Sequence, residues 1–119
     1  MSSYLSEVKM GEILLGCSGW HYKDWVGPFY REEAESLSTY SRIFKTVEID
    51  STFYRNPTKD MVLGWLKYTR PDFVYGAKLP KLITHKKKLD PRQGIEEDLQ
   101  HFLELMEPLQ LEGKLGCLL

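Results

Sequence analysis

Ser18, Glu48, Asp50 and Lys78 are the residues of this chain whose types and placement could do chemistry together. Each stands within or just beyond a short apolar run. Glu48 and Asp50 are two apart in Val47-Glu48-Ile49-Asp50, so in a strand they share one face, while Val47 and Ile49 share the other. Two carboxylates beside one lysine could divide the work of general acid and base, with the ammonium holding an anion. The same three charges could equally be an ion pair that caps a core, since buried carboxylates need partners whether or not they react.

Around these four lies a wider set of polar and aromatic side chains. Trp20, Tyr22, Trp25, Phe29 and Tyr30 crowd one stretch, and Thr52, Phe53 and Tyr54 follow the acidic pair. Phe29 and Phe53 read as core. Tryptophan and tyrosine in a loop have faces suited to stacking and polar tips that need partners. Trp20, Tyr22 and Trp25 are therefore candidates for contacting a ring or closing a lid, and Ser18, Thr52, Tyr54 and Thr84 for donating hydrogen bonds. His85 beside Thr84 is a candidate general acid or metal ligand. No ligand spacing supports a metal, so none is assigned, and the sequence leaves the cofactor unknown. Lys81, Lys86, Lys87 and Lys88 form a basic stretch opposed by Asp90. It reads either as a solvated loop or as a contact for phosphate or nucleic acid.

The apolar pattern says which elements must position these groups. Glu12-Ile13-Leu14-Leu15-Gly16 is a short run ending in glycine and reads as a buried strand. Thr46 to Asp50 alternates and is rich in β-branched residues, which predicts a second strand; Phe73 to Leu79 predicts a third and Lys114 to Leu119 a fourth. Between them, Ala34, Leu37, Tyr40 and Phe44 recur at helical spacing, as do Met61, Trp65 and Tyr68, and Ile95, Leu99, Phe102, Leu103 and Met106. Asn56-Pro57 resembles a helix start, Pro71 follows a helix end, and Asp90-Pro91 leads toward the third helix.

Strands alternating with helices imply parallel pairing and right-handed crossovers, in a (β/α) barrel or a doubly wound sheet. Barrel enzymes place their sites at the C-terminal ends of the strands. By alternation Leu14, Gly16 and Ser18, then Glu48 and Asp50, then Val74, Gly76 and Lys78 face inward. Three strands thus deliver Ser18, Asp50 and Lys78 to one place. Phe73, Tyr75 and Ala77 should face the helices, and so should Cys17.

Composition narrows the classes further. The 119 residues carry a formal net charge of −1, which argues against a general nucleic-acid binder while leaving room for a local basic patch. A hydrophobic fraction of 42% fits a globular α/β domain and not a disordered chain. No apolar run approaches the ~20 residues that span a bilayer, and Met1 to Lys9 lacks the order of a signal peptide, so no membrane association and a cytoplasmic location are expected. Cys17 and Cys117 lie in no CxxC pair and are expected to be reduced, buried core residues.

The stretch Gly16-Cys17-Ser18-Gly19-Trp20-His21-Tyr22-Lys23-Asp24-Trp25-Val26-Gly27-Pro28-Phe29-Tyr30 resembles the opening signature of domain-of-unknown-function family 72, the YecE-like proteins. Val47 to Tyr54 resembles that family's second motif. Lys78-Leu79-Pro80 with Ile83-Thr84-His85 resembles its third, and Leu115-Gly116 the start of its fourth strand. The resemblance implies a TIM-barrel-like fold and brings no established activity. Asp50 stands where the family pattern leads one to expect Asn, which adds a charge to the site. The family's domain is longer than this chain, so residues 1–119 are expected to be the N-terminal half of the barrel, about four strands and three helices, whose open face needs a C-terminal half barrel or a second copy of the chain.

Three functions follow as expectations. The leading one is an enzyme-like pocket for a small polar or phosphorylated ligand, with Glu48 or Asp50 as acid or base and Lys78 opposing an anion. The second is a nucleic-acid-binding or repair-type hydrolase using the basic stretch. The third is an inactive fragment that needs its partner half.

Overall fold

The computed structural model describes residues 11–119. The expectation that Met1 to Lys9 forms no signal peptide therefore lies outside the described residues. Four short strands, β1 (Gly16–Ser18), β2 (Thr46–Ile49), β3 (Val74–Ala77) and β4 (Leu115–Leu118), form one parallel sheet in the order β1-β2-β3-β4. The helices between them are α1 (Ser36–Ile43), the single turn α2 (Ser51–Tyr54), α3 (Lys59–Lys67) and the long α4 (Ile95–Leu111). The sheet is open, with β1 and β4 at its edges.

Alternation divides the sheet as its residues predict. Val47, Ile49, Tyr75 and Ala77 are buried on the helix side, where they meet Tyr40, Val62, Trp65, Phe102, Met106 and Leu109. At about 25 cal/mol per Å² this apolar layer is the main driving force of the fold. The opposite face is a shallow groove, lined by Leu14, Gly16, Ser18, Glu48, Val74 and Gly116.

Tyr40 of α1 joins this layer to both neighbouring strands. Its buried hydroxyl accepts the Cys17 backbone N–H at 2.6 Å and donates to the Thr46 carbonyl at 2.9 Å. Burial raises its phenol to about 12, so it stays a neutral donor and acceptor. Beside it Gly16 lets the strands meet. A Cβ at this position would stand 1.9 Å from the Thr46 carbonyl oxygen.

These contacts explain why β1 begins later than the apolar run suggests. Pairing starts at Gly16 opposite Thr46, whereas Ile13 and Leu15 have no strand partner and are largely exposed. The Asn56-Pro57 start is also displaced. Thr58 caps α3 instead, its side chain accepting the Met61 N–H at 3.1 Å. The buried stripe of α3 is accordingly Val62 and Trp65, with Met61 and Tyr68 turned outward. Asp90 does cap the turn Pro91–Gln93 ahead of α4, and Ile95, Phe102 and Met106 are buried as their spacing predicts.

Cys117 departs from expectation. The β3–β4 register slips between Tyr75 and Gly76, so that Gly76 faces Cys117 while Leu115 faces Tyr75. The irregularity leaves Cys117 exposed on the groove side rather than buried. Cys17 is half-buried against the helix-side core, and both thiols are free.

Candidate functional site

The charged cluster forms where three parallel strands end. Lys78 follows β3, and its Nζ lies 3.3 Å from Asp50 Oδ1 and 3.7 Å from Glu48 Oε1. Ser18, the last residue of β1, donates its hydroxyl to Asp50 Oδ2. The Ser18 hydroxyl is the largest influence holding the Asp50 carboxyl below its usual range; partial burial opposes it and the Lys78 ammonium reinforces it. Lys78 is in turn held above its ordinary value, by Asp50 first and Glu48 after it. Asp50 Oδ1 is shielded from solvent, and the Lys78 ammonium is its partner. Two carboxylates against one ammonium leave the cluster with net negative charge.

Next to this cluster lies a recess lined by Ser18, Trp20, His21, Tyr22, Asp50 and Ser51. Its wall is the loop after β1, held by buried Tyr30. The Tyr30 hydroxyl donates to the Trp20 carbonyl at 3.0 Å and accepts the Tyr22 N–H at 3.3 Å. Tyr22 donates its own hydroxyl to the Ser18 carbonyl. Burial, then Cys17 and Asp50, push the Tyr22 phenol up, which keeps it a donor.

The other predicted site residues are placed unevenly. Trp20 presents edge contacts to Trp65 and Tyr75, with ring centroids 6.2 and 6.3 Å away, and so anchors the recess to the core. Trp25 packs on Tyr22, with ring centroids 4.5 Å apart. Thr52 is fully buried and donates to the backbone carbonyls of Ile49 and Lys78, so its hydroxyl is spent inside the protein. Tyr54 is exposed next to Phe53. His85 bonds to Thr84 through Nδ1 at 2.8 Å and meets the cluster only through Phe53. The His85 ring is edge-on to Phe53 at 5.0 Å, and Lys78 Nζ lies 5.6 Å from the same ring.

The basic stretch is more structured than a solvated loop. Lys87 Nζ is 2.6 Å from Asp98 in the first turn of α4, which removes it from any set of free cations. Lys88 and Leu89 hold left-handed backbone, fixed by the Leu89 N–H to Ile83 carbonyl bond at 2.9 Å. Lys81, Lys86 and Lys88 stay exposed. Among the described residues no group of three or more His, Cys, Asp or Glu could hold a metal ion, and no helix is long and apolar enough to cross a membrane.

Sequence reasoning assigned no role to His21. Its Nε2 is 2.7 Å from Glu33 Oε1, and the residue lines the recess with Asp50. A partner twelve residues away, in a 3₁₀ turn at Glu33–Glu35, leaves no spacing signal to read.

A parallel α/β sheet with charges gathered at its strand ends defines the class: an α/β protein whose strand ends carry a charged cluster. The family model described as a protein of unknown function, DUF72, matches residues 14–119, and the chain belongs to that family. It is 33% identical over 97 residues to the UPF0759 protein YecE of Escherichia coli, a match covering 82% of this chain and 33% of the relative. The chain thus spans about a third of the length of the curated relatives it matches. A crystal structure of a DUF72 family protein from Thermotoga maritima is similar with a TM-score of 0.69 at 29% identity, over 88% of this chain and 42% of that one. One from Enterococcus faecalis gives 0.69 at 27% identity, over 87% and 37%.

Proposed function

We propose that the chain carries an enzyme-like binding site for a small polar ligand at the C-terminal ends of β1, β2 and β3. The observation that supports this reading best is Asp50. Ser18 and Lys78 hold its carboxylate ionised at the edge of the recess. A carboxylate placed there is an acceptor for a ligand hydroxyl or ammonium. Glu48 is the carboxylate with most freedom to act as acid or base, and Lys78 opposes charge developing on the ligand. The net negative cluster favours a hydroxylated or amino ligand over a phosphorylated one.

A thermal-shift series with D-ribose, D-glucose, glycine, ribose 5-phosphate and inorganic phosphate tests this, comparing the wild type with Glu48→Gln. At least one of the first three should stabilise the wild type and lose its effect in the variant. No response from either protein overturns the reading.

We propose as well that this sheet is the first half of a closed TIM-like barrel. Four strands cannot close at ordinary barrel tilt. The open edges of β1 and β4 and the groove face then call for a covering half, from further chain or from a second copy. Sedimentation of residues 1–119 alone should show association; a cooperatively folded monomer at micromolar concentration would refute the half-barrel reading.

A further inference from the structure

From the geometry of the recess we infer that His21, oriented by Glu33, is its proton-exchanging residue. The inference rests on the reading of the recess as a ligand site. Glu48 lies on the groove and does not line the recess, and Asp50 and Lys78 are already committed to one another. Asp50 is bound to Ser18 and paired with Lys78, and Lys78 spans both carboxylates. A carboxylate pinned in this way positions a ligand better than it accepts a proton from one.

His21 is arranged differently. It lines the same recess as Asp50, Ser18 and Tyr22, and only one of its ring nitrogens is engaged. Nε2 lies 2.7 Å from Glu33 Oε1. A neutral imidazole that donates Nε2–H to a carboxylate keeps its lone pair on Nδ1. This is the base-and-orienter arrangement of histidine in proton transfer, with the carboxylate stabilising the imidazolium that forms. In the step assigned here a proton leaves an O–H or N–H of the ligand, its bonding pair stays on that heteroatom, and the proton adds to Nδ1. The positive charge gained by the ring faces Glu33, and the reverse step returns the proton. Asp50 lines the same recess, Lys23 and Asp24 follow two and three residues along the chain, and the Tyr22 phenol is neutral.

Nitrogen-15 and proton NMR of the imidazoles tests the assignment without any ligand, so its failure is distinct from failure of the thermal-shift series. The chain has three histidines, His21, His85 and His101, which keeps the spectrum assignable. Neutral wild-type His21 should be the Nε2–H tautomer. In Glu33→Ala, which removes the acceptor at Nε2, the preference for that tautomer should be lost. The His21 imidazole signals should also shift in Asp50→Asn, while those of His101 do not. Glu33 is exposed in its turn, so the first variant leaves the core untouched and that arm is decisive alone. A His21 tautomer unmoved by Glu33→Ala, or an Nδ1–H tautomer in the wild type, overturns the inference. Imidazole signals that ignore Asp50→Asn place His21 outside the recess and overturn it equally.

Discussion

The Thr52 hydroxyl donates to the backbone carbonyl of Lys78 at 2.6 Å, tying the turn after β2 to the end of β3. Through this bond a fully buried residue of α2 fixes where the Lys78 side chain starts. Thr52→Val keeps the shape and leaves the Lys78 carbonyl without its donor. The expected cost is about 1–2 kcal/mol, measured by chemical denaturation, and Thr52→Ser should recover most of it.

Asp50 links the site to acid stability. Its folded carboxyl is held below the usual range, so the stabilisation it contributes is present above the unfolded value of 3.8 and is lost as pH falls through the folded value. Wild-type stability should therefore decline with acid below about pH 4 more steeply than that of Asp50→Asn. Denaturation midpoints collected between pH 2 and 6 measure the difference, and parallel curves would remove Asp50 as the cause.

Gly16 should tolerate no side chain. The Cβ of Gly16→Ala would meet the Thr46 carbonyl at 1.9 Å and force β1 away from β2. A loss of about 3 kcal/mol is expected, with Ser18 drawn off Asp50. Gly64 in α3 has open space around it, and Gly64→Ala should instead stabilise by about 0.5–1 kcal/mol. Thermal unfolding of the two variants makes the comparison.

The two thiols should differ in reactivity. Cys117 is exposed on the groove face and Cys17 is half-buried against the core. Under native conditions a thiol reagent should modify Cys117 rapidly and Cys17 slowly, as read by peptide mass. If a second copy covers the groove, the Cys117 rate should fall as protein concentration rises.

Much of this was legible in one dimension because strand and helix periods are short-range. The alternation of Val47 and Ile49 against Glu48 and Asp50 is enough to set faces, and the strand ends then bring Ser18, Asp50 and Lys78 together. The stripe of Ile95, Phe102 and Met106 likewise needed only a helical period. The family motifs reinforced the same order of elements.

What the tertiary structure alone decided concerns partners far apart in the chain. Hydroxyls such as those of Thr52 and Tyr40 look alike in sequence whether they meet a ligand or a buried carbonyl; only the packing of α2 against β3, and of α1 against β1 and β2, spends them inside. Lys87 reads as one more surface cation until α4 brings Asp98 to it. The register slip at Gly76 turns Cys117 outward against the period-two rule. His21 and Glu33 meet because buried Tyr30 folds the loop after β1 back on itself. The sequence by itself determined the faces of the elements, since side-chain direction follows from local backbone geometry. Which polar group finds which partner was settled only by the folded chain, because that depends on how separate elements are brought together.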